Sequence, residues 1–155
     1  MNPNKMLWEK GDFTRIAQCM RESGEALVGQ LGITRGLKVL DLGCGDGTTA
    51  LPEAKLGADV LGVDIAANLV AAGNKRAAEH GLANCRFQVG DASNLEGIES
   101  GSFDLVVSIF GAMFEQLADC RFRIVDTVVD EWGALLIWDF TFRIRRFRPQ
   151  VERCI

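Results

Sequence analysis

The chain has 155 residues, 48% of them apolar and 25% charged, with a formal net charge of −4. That is enough for a single domain, 1–155, with a real core, and the acidic balance speaks against a general nucleic-acid binder. Five cysteines, Cys19, Cys44, Cys85, Cys120 and Cys154, are odd in number, widely spaced and never in a CxxC pair. They support neither a disulfide framework nor a zinc or other metal site, and they point to a reducing, cytoplasmic setting. No signal-peptide pattern opens the polar start, and the longest late apolar run, 134–138, is too short to cross a bilayer.

In chain order, Ile16, Ala17, Met20, Gly24, Leu27, Val28 and Leu31 recur at helical spacing, with Asp12 placed to cap and Gly32 to stop the run. The 1–34 segment is therefore helical. Ahead of that helix, Leu7, Trp8 and Phe13 read as a staple to the core in preference to a lid over a ligand. Residues 37–42 form a buried strand, and a helix over 48–56 is stopped by Gly57. Pro52 within that helix implies a late start, because proline is tolerated only in the first turn.

A second strand, 59–64, closes on Asp64 and leads to a helix over 66–80 stopped by Gly81. A third strand covers 85–89, and a polar connection leads to a fourth over 103–108. Alternation of strand and helix predicts an α/β fold, a mostly parallel Rossmann-like sheet with helices on both faces. After Phe114 the composition changes, and arginine becomes the sole basic residue. Leu117, Cys120, Ile124 and Val128 still hold helical spacing, and 134–140 reads as a fifth strand. Phe140, Phe142 and Ile144 alternate with polar residues and extend that strand or form a tail.

Asp41, the turn Gly43-Cys44-Gly45-Asp46-Gly47, Asp64 and Asp91 each fall at or just beyond the C-terminal end of a predicted parallel strand, where open α/β sheets bind ligands. Bare backbone N–H groups at the glycine turn suit an anionic group. A carboxylate at Asp64 can accept from both hydroxyls of a ribose, Ile65 can pack on a base, and Asp91 can accept from an exocyclic amine while the Ala92 N–H donates to a ring nitrogen. The glycines follow G-x-G-x-G instead of the dinucleotide G-x-G-x-x-G, and no P-loop pattern occurs.

Val39-Leu40-Asp41-Leu42-Gly43-Cys44-Gly45-Asp46-Gly47-Thr48, Gly62-Val63-Asp64, Gly90-Asp91-Ala92 and Phe103-Asp104-Leu105-Val106-Val107-Ser108 resemble, in order and spacing, the successive motifs of class I S-adenosylmethionine-dependent methyltransferases of the small-molecule type. The resemblance covers residues 35–114. It implies S-adenosylmethionine as cofactor and S-adenosylhomocysteine as product, with Asp41, Gly43, Cys44, Gly45 and Gly47 around the methionine portion. It further implies Asp64 on the ribose, Asp91 and Ala92 on the adenine, and Ser108 with Ile109 near the sulfonium.

In-line transfer from a sulfonium requires no obligatory catalytic base, so no catalytic residue is named. Ser108-Ile109-Phe110-Gly111 lacks the [DN]-P-P-[YF] pattern of amine-directed nucleic-acid methyltransferases, which favours a small-molecule acceptor. Cys44 reads as a small filler, His80 as a helix-end cation, Met113 and Phe114 as core, Asp46 as a helix-start acid, Asp104 as a strand-entry acid, and the Arg143-to-Arg148 cluster as a solvated tail. Family members continue to seven strands, whereas 115–155 departs from that pattern. The expectation is a C-terminally truncated, divergent or frameshifted end, with self-association through an exposed fifth strand or tail. Two alternative functions follow: cofactor binding without competent catalysis, and an NAD-binding oxidoreductase domain.

Overall fold

The computed structural model describes residues 4–99, 101–108, 123–130 and 133–139. Its elements run α1 (Asn4–Lys10), α2 (Phe13–Val28), β1 (Lys38–Leu42), α3 (Ala50–Lys55), β2 (Asp59–Asp64), α4 (Ala67–Glu79), β3 (Cys85–Val89), β4 (Leu105–Val107), β5 (Arg123–Asp130) and β6 (Gly133–Asp139). The first four strands make one parallel sheet in the order β3-β2-β1-β4. The chain steps outward from β1 to β3 and then returns to the other side of β1. The reversal in strand order therefore lies between β1 and β4, the place at the strands' C-terminal ends where open α/β sheets form their ligand crevice.

Side-chain alternation divides the core between the two faces of the sheet. Val39, Val60, Phe87 and Val107 meet Ala50, Leu51 and Ala54 of α3 and Val70 and Ala77 of α4. Leu40, Leu42, Leu61 and Val63 lie on the opposite face with Ala92, under Leu95, Ile98 and Phe103 from the connection before β4. Both faces of β1 and β2 are thus covered, which is why these strands read as unbroken apolar runs.

Phe87 is the key to the first face. A Cβ on Gly62 or on Gly73 would lie 2.7 or 2.8 Å from its ring, so β2 and α4 must both lack side chains there. Asn74 of α4 then donates to the Phe87 carbonyl and accepts from its N–H, both at 3.0 Å. One ring and one amide lock α4 onto β3.

Several expectations change. The N-terminal part is two helices, and Trp8 packs on Phe13 with ring centroids 4.8 Å apart, a staple between neighbouring segments. Asp12 precedes α2 but makes no capping bond to the backbone; its Oδ1 accepts from the Thr14 hydroxyl at 2.6 Å. Pro52 falls at the third residue of α3, so the late start is observed.

The helix expected across Ile124 and Val128 is instead strand β5, because Ile124, Val125, Thr127, Val128 and Val129 are β-branched and stiff at χ1. The predicted fifth strand is present as β6, but it pairs antiparallel with β5 in a separate two-stranded ladder, and the parallel sheet has four strands among the described residues. One edge of β6 is therefore already occupied. Leu117, Cys120, Ile109, Met113, Phe114 and the arginine cluster lie outside the described residues.

Candidate functional site

The turn after β1 is held against the end of β2 before any side chain acts: the Gly43 and Cys44 N–H groups both donate to the Val63 carbonyl, at 2.8 and 3.2 Å. Asp64, one residue on, then receives the Gly45 N–H on Oδ2 at 2.8 Å and the Ala66 N–H on Oδ1 at 2.9 Å. Each carboxylate oxygen has one backbone donor and retains acceptor capacity, as a ligand with two adjacent hydroxyls would require. Burial raises the Asp64 pKa above its ordinary value, while the Ala66, Gly45 and Ile65 N–H groups oppose that rise.

Two glycines of the turn have separate reasons to be glycine. Gly45 has φ +54 and a Cβ there would meet nothing within 4 Å, so it faces open space at the mouth of the crevice. A Cβ on Gly47 would run into Leu51 and lie 2.7 Å from the Phe87 ring. Gly45 leaves its backbone facing open space, whereas Gly47 lets the turn sit on the core.

Asp41 lies at the base of the crevice, 1% exposed, with Oδ2 accepting from the Thr49 hydroxyl at 2.6 Å and Oδ1 without a hydrogen bond among the described residues. Its pKa is pushed up to about 7, mainly by burial; the Thr49 bond opposes this and the charge of Asp64 adds to it. Cys44 is buried with its sulfur beside Gly62, and burial, then Asp41, then Asp64 raise its thiol pKa. A thiol held neutral in this way is a poor nucleophile, as the filler reading expects.

The other sequence-derived residues meet the same crevice. Ile65 is half-buried directly after Asp64. Asp91 follows β3, and its Oδ1 accepts from both the N–H and the hydroxyl of Ser93, at 2.9 and 2.6 Å, so part of the carboxylate shapes its own turn. Ala92 is buried. At the end of β4, the Ser108 hydroxyl donates to the Leu42 carbonyl at 2.7 Å and ties the two strands across the switch point. Asp41, Gly43, Cys44, Gly45, Gly47, Asp64, Ile65, Asp91, Ala92 and Ser108 thus lie at one edge of one sheet.

Two acids near the turn escaped the sequence reading. Glu53 of α3 is fully buried, neither oxygen has a hydrogen bond among the described residues, and its pKa is pushed up to about 9 by burial and then by Asp41. A signal existed: Ala50, Glu53 and Ala54 share one helical face, and both alanines are buried. Asp46, expected to be a simple helix-start acid, is 1% exposed and bridged by Arg21 at 3.0 Å and Arg76 at 3.1 Å. Its partners come from α2 and α4, far away in sequence, and no local pattern announces them. Asp104 behaves as expected for a strand-entry acid, accepting the Lys38 N–H at 2.9 Å.

A family model described as "Methyltransferase domain" matches residues 39–129. An uncharacterized protein of Mycobacterium tuberculosis is 36% identical over 112 residues, 72% of this chain and 40% of that protein. A 23S rRNA uracil-C5 methyltransferase of Shewanella is 36% identical over 92 residues, 59% of this chain and 20% of that enzyme. Among solved structures, magnesium protoporphyrin IX methyltransferase of Synechocystis, determined with bound S-adenosylhomocysteine, superimposes with a TM-score of 0.50 at 30% identity, covering 61% of this chain and 42% of that one. The chain therefore spans 40% or less of the length of these curated relatives.

Proposed function

Because the chain belongs to the methyltransferase-domain family, which its residues 39–129 match, we propose that it binds S-adenosylmethionine at the turn after β1 and transfers the methyl group to a small-molecule acceptor, leaving S-adenosylhomocysteine. The observation that carries this reading is Asp64, a nearly buried carboxylate aimed by the Gly45 and Ala66 amides beside a glycine that faces open space. That arrangement fits a ribose diol, with each charge-assisted bond worth about 1.5–3 kcal/mol. Asp91 and Ala92 stand one strand further out, where an adenine attached to that ribose would reach.

The sulfonium supplies a methyl group already joined to a good leaving group. The chain's part is to hold the reactants. The turn over 43–47, its Gly43, Cys44, Gly45 and Gly47 N–H groups held within the fold, shapes the place for the methionine end, Asp64 fixes the ribose, and Ser108, tied to Leu42, keeps β4 in place at the floor of the crevice. Transfer then needs the acceptor's nucleophilic atom in line with the methyl–sulfur bond at about 3–3.5 Å. Bound there, the sulfonium would supply the methyl carbon, its sulfur keeping the electron pair of the broken carbon–sulfur bond while the acceptor's proton would pass to solvent.

A small-molecule acceptor is supported by the Ser108-Ile109-Phe110-Gly111 sequel and by the likeness to a porphyrin methyltransferase. The likeness to an enzyme that methylates 23S rRNA supports the rival class. Among the described residues no helix is long and apolar enough to cross a membrane, and free Cys19, Cys44 and Cys85 fit the proposed cytoplasmic setting.

The test is a methyl-transfer assay with radiolabelled cofactor against a panel of small nucleophiles and against ribosomal RNA. Labelling in the small-molecule arm supports the proposal, labelling of RNA alone replaces the acceptor class, and cofactor binding without label in either arm supports binding without catalysis. Self-association through the C-terminal part is read by light scattering on the full chain; a clean monomer at high concentration removes it.

A further inference from the structure

Asp46 stands between Gly45, whose N–H aims Asp64, and Gly47, which seats the turn on the core. It is 1% exposed, yet it is reached by cations from two helices. Arg21 of α2 donates through Nη2 to Oδ2 at 3.0 Å. Arg76 of α4 approaches Oδ1 with Nη1 at 3.1 Å and donates from the same nitrogen to the Asp46 carbonyl at 2.6 Å. Asp46, the residue following Gly45, is therefore gripped through both its side chain and its carbonyl. A second contact joins α2 to the turn, since a Cβ on Gly24 would lie 2.8 Å from the Thr48 carbonyl oxygen.

We propose that Arg21 and Arg76 are positioning residues for the cofactor: by holding the Asp46 side chain and its carbonyl they fix Asp46 next to Gly45, and through the Gly45 N–H they aim the Asp64 carboxylate. The inference rests on the S-adenosylmethionine reading and deepens it, because it makes α2, outside the matched family residues, part of the binding apparatus. A structural ion pair placed anywhere would add some stability. This one sits one residue from a ligand-facing backbone group, so its loss is felt first in binding. The role proposed for this pair is to fix the turn's conformation, which a small net contribution to stability would not contradict.

Arg21 is the partner to remove, because its side chain is 36% exposed and Asp46 keeps Arg76 when it goes. The experiment compares wild type, R21M, R21K and D46N as full chains, using calorimetric binding of S-adenosylhomocysteine and amide exchange on the ligand-free proteins. The expected result is a Kd about tenfold higher in R21M and D46N, partial recovery in R21K, and faster exchange confined to residues 43–49 while the β1 and β2 amides keep their protection. A Kd within twofold of wild type in both R21M and D46N overturns the inference. So does faster exchange spread evenly over the sheet, which would mark a merely structural role. Failure of wild type itself to bind overturns the cofactor reading and this inference with it, and is distinguished by its appearance in the unmutated chain.

Discussion

Two buried acids within the same part of the fold are held differently. Asp64 has a backbone donor on each oxygen, whereas Glu53 has none among the described residues. Replacing Asp64 by asparagine removes the charge that ribose hydroxyls would use and turns an NH2 toward one of the two backbone donors. The expected outcome is a Kd for S-adenosylhomocysteine at least about tenfold weaker, following from the loss of one charge-assisted bond, together with a lower melting temperature. Calorimetry and thermal melting on the same samples check it; unchanged affinity would remove Asp64 from the site.

Glu53 makes a prediction of a different kind. Its pKa rises from 4.5 in the unfolded chain to about 9 in the fold, and that of Asp41 from 3.8 to about 7. Both folded groups hold protons that the unfolded chain releases, so stability declines as pH rises from about 4 toward 9. E53Q is neutral throughout and escapes its share of the decline. It should match wild type near pH 4.5 and exceed it at pH 8, by an amount on the order of a few kcal/mol. Urea denaturation across that range tests the sign, and parallel pH profiles for the two proteins would refute the assignment.

At the scale of elements, the docking of α4 onto β3 depends on a ring that lies against three glycines, Gly47, Gly62 and Gly73. Glycines have no side chains with which to fill a void, so F87A leaves a cavity that collapses poorly. The expected cost is about 3–5 kcal/mol, with F87L costing less. Urea unfolding measures this, and a cost below about 1 kcal/mol would show that the slot relaxes. The strands were legible where burial on both faces makes a continuous apolar run closed by an acid: β2 and β3 fall on the expected residues, and β1 begins one residue later. The slot for Phe87 was not legible, because Gly62 and Gly73 belong to different elements and acquire a common reason only when the sheet and helix come together. The same holds for Arg21 and Arg76 around Asp46. In β5, Ile124 and Val128 coincide with a helical period, but the β-branched residues among them favour a strand. Helix α1 is short and its Met6 and Leu7 are exposed, so it lacked the buried stripe by which helices are read.

For the whole molecule, cofactor binding and folding should be linked, because the crevice assembles only when β1, β2, β3 and β4 are in register and α2 and α4 hold the turn. Asp64 ends β2, Gly45 and Asp91 follow β1 and β3, and the three make no common surface in an unfolded chain. A ligand that binds only the folded form stabilises it by RT ln(1 + [L]/Kd), about 2.7 kcal/mol at a hundredfold excess over Kd. For a chain of this size that corresponds to a rise in melting temperature of roughly 5–10 °C. S-adenosylhomocysteine should produce this rise and NAD should not, since the third glycine of a dinucleotide G-x-G-x-x-G would fall at position 48, where this chain has Thr48. A shift with NAD and none with S-adenosylhomocysteine would instead make the crevice a dinucleotide site and reverse the order of the two readings.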